Sequence, residues 1–531
     1  MRFARQLCAV LLCTILLLAL MPVSSLAASE KMDYGFSWSF DSATGTLTIT
    51  GNGSMQDFES YKDRPWEAHE DNITKVVISK GITSVGEYAF YDLESLTEVV
   101  FPGGLRAINT GAFKYCDNLV TAQLPDTLIS IGDQAFYGCD SYPVSIPNSV
   151  VSIGASAFAC YFSCNTEEEF HLPASVTSIG TNAFYDRRFS KITVDSSNSV
   201  YYTDAQGVLY GLPTAELIKA PATMQGSYSI ADGTVVIRQD AFSHVDGLDE
   251  VVMPDSVTSV EPNAFSSCSI SSATLSHNLE CIPSWSFFGT DLVSLTIPDG
   301  VTTIESSAFT NIYSLKDVHI PASVTALEGA FDACSKDLSF TVDPNNPNYS
   351  NTPRGMLTDK AGKVLVLAAG TTNGTYVVSP EIEVIAEYAF LDSPFTSVAI
   401  LGDSFSIGSS AFCSSNLKEI YIGKGLTHMD GSMYGNPFEA CFQLKDIYYE
   451  GTKEQWEACL AEKMESISDN ITIHYNVSYE EFRNITKIQP ATLEPQSQPS
   501  RWAVIVAAAV LVPGVYLLVI LLIRKRKKEA V

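Results

Sequence analysis

The segment Leu119-Val120-Thr121-Ala122-Gln123-Leu124-Pro125 opens a unit that recurs along most of this chain. The same unit continues with Leu128, Ile131-Gly132, Ala135-Phe136 and Cys139. Apolar and polar residues alternate in the first segment, which is typical of a short half-buried strand, and a proline ends such a strand because it has no N–H to donate. The unit therefore predicts a strand, a turn and a buried Ala-Phe pair.

The Ala-Phe pair recurs thirteen times, with Ser-Phe and Pro-Phe as variants, and most intervals are 22 or 23 residues. A unit of this length cannot bury its own apolar side, so its leucine, isoleucine and phenylalanine residues must stack on those of the neighbouring units. The pattern therefore predicts a mainly β solenoid. The anchoring residues are Phe90, Phe113, Phe136, Phe158, Phe184, Phe242, Phe265, Phe287, Phe309, Phe331, Phe390, Phe412 and Phe438.

The consensus Leu-x-x-Val-x-Ile-Pro-x-x-Val-x-x-Ile-Gly-x-x-Ala-Phe-x-x-Cys resembles the BspA-type leucine-rich repeat of bacterial and protist surface proteins. The resemblance covers residues 73–450, which is most of the chain. It implies a curved or gently twisted right-handed array of short strands and loops. It also implies binding at the cell surface, often adhesion to host or neighbouring-cell proteins, but it implies no particular ligand.

Two intervals, of 58 and 59 residues, are longer than the others. They contain similar inserts at residues 194–232 and 342–380, and we interpret both as long variant repeats with a β-hairpin rather than as foreign domains. Asp195 and Asp343 occupy the same place in the two inserts. The preferred interpretation of these aspartates is an Asx turn, and a calcium loop is the alternative.

The ends of a repeat array need caps, because the outer apolar columns would otherwise meet water. Residues 28–72 are predicted to form an N-terminal β cap with a hairpin across Trp38–Ile49. Residues 451–477 are predicted to form a C-terminal cap, with a helix at Glu454–Met464 and a strand at Ile471–Tyr475.

The N-terminal residues 1–27 are typical of a secretory signal peptide. Arg2 and Arg5 precede an apolar run, and the small residues of Ser25-Leu26-Ala27 follow at the positions that a signal peptidase reads. The alternative is a retained N-terminal anchor. Either interpretation places the repeats outside the cytoplasm.

The C-terminal region is predicted to anchor the chain. Residues 478–501 contain three prolines with several Gln and Ser residues and are predicted to form a semi-rigid stalk. Trp502–Ile523 carries no charge and is long enough for a transmembrane helix, and the basic tail at 524–531 places the C-terminus in the cytoplasm. The chain is therefore predicted to be a single-pass cell-membrane protein with a large extracellular ectodomain. A cell-wall sorting signal is the alternative, although residues 491–496 do not match the Leu-Pro-x-Thr-Gly motif of such signals.

The composition excludes two broad classes of protein. Of 531 residues, 46% are hydrophobic, which excludes a disordered chain. The chain has 32 Lys and Arg against 60 Asp and Glu, a net charge of −28, and this excludes nucleic acid as the main partner. Without the terminal basic residues and Glu529, the exterior has 25 basic and 59 acidic residues and a net charge of −34. The cytoplasmic tail has a net charge of +4.

No residue pattern predicts catalysis, a metal site or a cofactor. The seven histidines are scattered, and the chain has neither an H-E-x-x-H motif, nor a G-x-S-x-G motif, nor a P-loop. Cys160 and Cys164 are spaced C-x3-C without a second pair. Five other cysteines each follow a repeat phenylalanine by three residues and are interpreted as a buried column of structural thiols, with a disulfide framework or a metal site as alternatives: Cys116, Cys139, Cys268, Cys334 and Cys441.

The most informative predicted surface is the strand face, which the outward residue of each unit's first strand forms. Acidic residues occur two positions before many of these outward residues. Solubility is one interpretation of this acidity, and a strip that binds a basic or polar protein is the other. The candidate partner-binding residues are Glu98, Glu169, Glu250, Asp317, Asp337, Glu419, Asp446, Tyr421, Tyr448, His171 and His319.

These observations favour a non-catalytic, membrane-anchored extracellular protein that binds proteins or mediates adhesion. Its expected partner is an extracellular protein of a host matrix or a neighbouring cell. A structural or spacer role in the cell envelope is the alternative. A receptor with an eight-residue cytoplasmic tail would need a partner to signal.

Overall fold

The computed structural model describes residues 28–31, 35–142, 144–161, 168–212, 214–327, 329–335, 337–352, 355–368, 374–391, 393, 395–431, 436–460 and 470–486. These residues form a β-solenoid, which confirms the predicted fold class. They divide into two compact units after Tyr349. The predicted signal peptide, transmembrane helix and basic tail, together with the stalk beyond residue 486, lie outside the described residues.

Each turn of the first unit contributes to two rows of short parallel strands. The first row, which carries the strand face, comprises Thr46–Thr50, Lys75–Ile78, Glu98–Val100, Glu168–Leu172, Phe189–Val194, Gln225–Ser229, Gly247–Val252, Ser272–Thr274, Ser294–Thr296, Asp317–Ile320 and Ser339–Val342. The second row comprises Gly53–Ser54, Ile82–Val85, Ala107–Ile108, Ser130–Ile131, Ser152–Ile153, Ser178–Ile179, Glu216–Lys219, Val236–Ile237, Ser259–Val260, Cys281–Ile282 and Thr303–Ile304.

The second unit has the same two rows and two helices. Its first row comprises Gly374–Val378, Phe395–Ile400, Glu419–Ile422, Asp446–Tyr449 and Thr472–Tyr475. Its second row comprises Val364–Leu367, Val384–Ile385, Phe405–Ile407 and Leu426–Met429. The helices are α1 (Lys453–Cys459) and α2 (Tyr479–Thr486).

Antiparallel strands occur at the start of the array and in the long repeats. The expected N-terminal hairpin is present, and its second strand continues the first row: Ala28–Lys31, Ser37–Asp41 and Thr46–Thr50. The 3-10 helices Tyr61–Asp63 and Glu67–Asn72 follow it. The long repeats contain the strands Tyr201–Thr203, Leu209–Gly211, Tyr349–Asn351 and Leu357–Asp359, which include the expected hairpins.

The repeat phenylalanines form ring stacks in the core of each unit. Phe113 lies between Phe90 and Phe136, with ring centroids 5.2 and 5.3 Å apart and planes within 19° of parallel. In the second unit, the rings of Phe390 and Phe412 are 4.6 Å apart. Each ring is buried by the rings before and after it, as the repeat pattern predicts.

The cysteine column lies beside this stack and is structural, as expected. The thiol of Cys116 donates to the carbonyl of Phe90 at 3.1 Å, and that of Cys139 donates to the carbonyl of Phe113 at 3.0 Å. The five cysteines of the column are free, and burial raises the pKa of the Cys441 thiol to about 11. Cys160, which is outside this column, is in a disulfide.

Arg187 takes the place of a cysteine in this column where the interval between phenylalanines lengthens. Its guanidinium donates to the carbonyls of Phe158, Tyr142 and Cys139 at 2.8–2.9 Å and lies 3.6 Å from a carboxylate oxygen of Glu168. Burial lowers its pKa, but four buried partners hold the charge. The sequence gave no sign of this buried cation.

The two inserts have the same backbone hydrogen bonds. The carboxylate of Asp195 accepts from the N–H of Ser197 at 2.8 Å, and that of Asp343 accepts from the N–H of Asn345 at 2.7 Å, so the Asx-turn interpretation is confirmed. Three residues later, an asparagine amide donates to two carbonyls of the preceding turn and accepts from two N–H groups that follow.

The residue two positions before each phenylalanine adopts the left-handed backbone conformation in most turns. Gly111 does so at φ +58°, but most other members have side chains. An L residue with a side chain is strained in this region by about 1–2 kcal/mol. The members with side chains are Tyr88, Gln134, Ser156, Asn182, Asp240, Asn263, Trp285, Ser307, Tyr388 and Ser410.

Ser307→Gly should stabilise the protein, because glycine relieves the strain at φ +62°. The gain in the free energy of unfolding should be about 0.5–1 kcal/mol, since the greater entropy of unfolded glycine offsets part of the relief. Denaturant titration under reducing conditions measures it. Ser306→Gly is the control, because Ser306 is outside the left-handed set and should lose stability. Equal losses in both variants would contradict the prediction.

Candidate binding surface

The outward column of the strand face is accessible in the first unit. Val100 is 40% exposed, and Gln123, His171, Thr274 and Thr296 are also exposed. The strands carry these side chains on parallel ladders, so successive side chains stand about 4.8 Å apart. His171 is oriented by its neighbour in register, because its Nδ1 lies 3.0 Å from the hydroxyl of Thr193. His319 is half-buried on the same face.

The acidic residues of the strand face alternate with other side chains in the first unit. Glu98 pairs with Lys75 at 2.8 Å, and Glu169 pairs with Lys191 at 3.7 Å, in both cases with its neighbour in register. Exposed pairs of this kind contribute little to stability. They do, however, remove the mutual repulsion that an uninterrupted acidic stack would have.

Serines separate the other acids in this unit. Glu250 lies in register with Ser272, and Asp317 lies between Ser294 and Ser339. The expectation of a continuous stack of like charges is therefore wrong here. Side-chain oxygens of both kinds give the face a polar surface that accepts hydrogen bonds.

Asp337 was placed in this acidic row by the sequence, and that placement is wrong. Asp317 pairs with Ser339, and His319 pairs with Thr341. Asp337 thus precedes its strand by two residues, and the outward residue of this turn is Thr341 rather than Ser339. The longer turn that precedes it shifted the register by two.

The strand face of the second unit is covered by α2, a helix within the predicted stalk. Phe482 of this helix is fully buried, and its ring lies 5.3 Å from that of Tyr421 and 5.2 Å from that of Tyr448. Tyr421 is only 1% exposed and Tyr448 only 7%. The expectation that both tyrosines are accessible to a partner is therefore wrong in this structure, because an apolar helix face lies on them.

Glu419 and Asp446 are neighbours in register at the edge of this covered region. Burial raises the pKa of Glu419, and the charge of Asp446 raises it further, while the hydroxyl of Ser397 opposes the shift. Asp446 also pairs with His474 at 2.8 Å. Here alone among the described rows, two predicted acids are adjacent, and a histidine compensates one of them.

The repeats match one family model with six copies, described as the BspA type leucine-rich repeat region, at residues 68–188, 224–339 and 370–468. These ranges cover more than half of the chain. The chain belongs to this family. Membership confirms the resemblance stated from the repeat consensus and is consistent with a protein-binding role. Among curated proteins, no sequence matches the chain significantly.

Several solved structures of bacterial repeat proteins are similar to this family member. A leucine-rich cell surface protein from Faecalibacterium prausnitzii is 25% identical over 60% of this chain and 96% of its own, with a TM-score of 0.46. A leucine-rich repeat protein from Eubacterium ventriosum is 20% identical over 84% of this chain and 99% of its own, with a TM-score of 0.46. The pneumococcal vaccine antigen PcpA is 15% identical over 86% of this chain and 100% of its own, with a TM-score of 0.41. At these TM-scores, none of them bears on the function of this chain.

Two searches for other functional features were negative within the described ranges. No group of three or more His, Cys, Asp or Glu side chains there is arranged to hold a metal ion. No helix there is long and apolar enough to cross a membrane, and the predicted span at Trp502–Ile523 is not part of those ranges.

An acidic column that the sequence reasoning missed lies four residues after the phenylalanines of three consecutive turns. It consists of Glu94, Asp117 and Asp140. Burial raises the pKa of Asp117 to about 6, and the charges of Asp140 and Glu94 contribute to the shift. One carboxylate oxygen of Asp117 is buried and has no hydrogen-bond partner among the described residues. The repeated spacing was the available signal.

A cluster of tyrosines on the first turns was also missed. Tyr115 lies 5.5 Å from Tyr91, 5.5 Å from Tyr137 and 5.3 Å from Tyr161, measured between ring centroids. The ammonium of Lys114 lies over two of these rings, at 5.0 and 4.9 Å. Aromatic residues with a cation are enriched in protein interfaces, so this is a second exposed surface of the first unit.

Asp117→Asn should stabilise the protein at neutral pH and have a smaller effect near pH 4.5. Because the folded-state pKa is raised, the ionised group opposes folding above about pH 6, and the penalty disappears as the carboxyl is protonated. The gain at pH 7 should be about 1 kcal/mol, less than the full shift implies, because the group is partly exposed and screened.

Thermal unfolding of wild type and variant at both pH values measures this difference. Asp299→Asn removes the same charge from an exposed turn and is the matched control. A gain from Asp117→Asn that was equal at both pH values would contradict the assignment.

Proposed function

We propose that this chain is a membrane-anchored, non-catalytic protein of the cell surface that binds an extracellular protein through the strand face of its first unit. The exposed first row of that unit is the observation that carries the proposal. Parallel ladders hold the backbone of this row, so its side chains can differ from turn to turn without a change of fold. A surface of this kind suits the recognition of a large partner.

The residues that carry the proposed contact are those that remain accessible on this face. They combine carboxylates, imidazoles and hydroxyls on a chain with a net charge of −28, which suits a basic or polar partner surface. Tyr421 and Tyr448 are not included, because α2 buries them. The residues in this contact are Glu98, Glu169, His171, Glu250, Asp317 and His319.

The sequence supports the extracellular location and the anchor. A signal peptide at residues 1–27 would export the repeats, and the uncharged span at 502–523 with its basic tail would stop transfer. Family membership is consistent with a binding protein at the surface. No motif of an enzyme competes with this proposal.

Combined replacement of the accessible residues should reduce adhesion. Cells that display the full chain would be tested for attachment to host-cell monolayers and to a panel of extracellular-matrix proteins. The variant carries Glu169→Ala, His171→Ala, Glu250→Ala, Asp317→Ala and His319→Ala. Attachment should fall by about tenfold or more, because a few residues dominate most interfaces.

The control variant carries Asp126→Ala, Asp299→Ala and Glu381→Ala, which removes as many acids from exposed positions outside the strand face. It should attach as the wild type does. Equal attachment of the two variants would contradict recognition by this face. Cells without the chain that attach normally but have a fragile envelope would instead support the structural role.

Truncation after Arg501 should release the protein into the medium, because it removes the predicted anchor. Cell fractionation and immunoblotting would locate both forms, and the full chain should remain in the membrane fraction. A full chain that is released only by wall-digesting enzymes would contradict the membrane anchor and support wall attachment.

A further inference from the structure

A cavity of about 320 Å³ lies in the first unit, where the first long repeat meets the turn before it. Its walls come from the second-row strands Ser178–Ile179 and Glu216–Lys219 and from the turn at Asn182–Tyr185. Cavities that bind small molecules begin at about 300 Å³. This cavity lies on the second row and is separate from the strand face proposed above.

Two ion pairs border the cavity and are largely buried. Lys219 pairs with Asp240, and their side chains are only 5% and 3% exposed. Glu216 pairs with Arg238, and these side chains are 17% and 20% exposed. Removing charges from water costs free energy that pairing at best offsets, so such pairs are weak contributors to stability.

The second long repeat shows that the fold does not require these charges. The two repeats align with a constant offset of 148 residues from Asp195 and Asp343 onward, and their second-row strands pair in the same register. At the positions of Glu216, Lys219, Arg238 and Asp240, the second repeat has Val364, Leu367, Ala386 and Tyr388. The charges therefore serve something other than the scaffold.

The cavity wall offers donors and acceptors without net charge, since each cation has its carboxylate. The amide of Asn182 donates to that of Gln239 at 2.9 Å, which leaves each amide with one further group to offer. The Nε of Arg238 is buried and has no hydrogen-bond partner among the described residues. The aromatic rings of Phe184 and Tyr201 supply apolar surface beside these groups.

We propose that this cavity binds a neutral saccharide of one or two rings. An uncharged ligand with many hydroxyls both donates and accepts, as this wall does, and the C–H face of a sugar ring suits an aromatic surface. Paired Glu216 and Arg238 would orient adjacent hydroxyls, and Asn182 and Gln239 would contact the same ring. The charges that the fold does not need would then provide specificity.

Saturation-transfer NMR with the purified full chain, in a detergent without a sugar headgroup, tests this proposal. The probes are glucose, galactose, mannose, N-acetylglucosamine, lactose and cellobiose, with glucuronic acid and glucosamine as charged counterparts. At least one neutral sugar should show saturation transfer at millimolar concentration and should bind more tightly than the charged sugars.

The principal variant, Glu216→Val with Arg238→Ala, introduces the residues that the second long repeat already accommodates. Affinity should fall by about tenfold or more, the loss expected when charged hydrogen-bond partners are removed. Gln239→Ala should weaken binding as well and tests the site if the double variant unfolds. Lys363→Ala with Glu383→Ala, which removes an exposed ion pair from the second long repeat, should bind as the wild type does.

Three outcomes would overturn the proposal. They are the absence of transfer to any neutral sugar, binding that survives in both cavity variants, and tighter binding of a charged sugar than of its neutral counterpart. None of them bears on adhesion through the strand face, because the two surfaces are tested by different variants.

Discussion

The stacking of one phenylalanine per turn is the interaction on which the rest of the structure depends. In the first unit, ring separations of 5.2–5.4 Å lie close to the strand spacing of about 4.8 Å, so rings and ladders repeat together. Extra residues must therefore loop out without moving the ring. Where the interval lengthens to 26 residues, between Phe158 and Phe184, the separation rises to 6.2 Å, and Arg187 supplies the hydrogen bonds that hold this turn to the one before.

The periodic part of the fold could be predicted from the sequence because each unit repeats the same physical requirement. The hairpin at Trp38–Ile49 and the Asx turns carry local signals and were also predictable. Contacts between distant segments were not. Phe482 lies in a segment whose prolines and glutamines suggested a stalk, and nothing nearby in the sequence indicates that its helix covers Tyr421. The register of Asp337 depended on a turn whose length the consensus does not determine, and for the same reason the candidate site was only partly predictable.

The two long repeats separate what the scaffold needs from what it tolerates. Both keep the asparagine that ties the insert to the preceding turn, at Asn198 and Asn346, and both keep the register of the second row. Only the first has charged side chains at the four positions that border the cavity. A duplicated element has thus kept its hydrogen-bonded frame while the residues inside it diverged, which is how solenoids acquire separate surfaces on one backbone.

The buried thiols affect how this protein fails. Each is unreactive while its turn is intact, since burial raises the pKa of Cys268 and Cys334 to about 12. Cysteines such as Cys116 and Cys139 are close in sequence, however, and an opened turn would release them together. In an oxidising medium they would form disulfides that the stacked array cannot contain. Unfolding there would be a one-way event, so the lifetime of the protein would be set by the rate at which turns open rather than by its equilibrium stability.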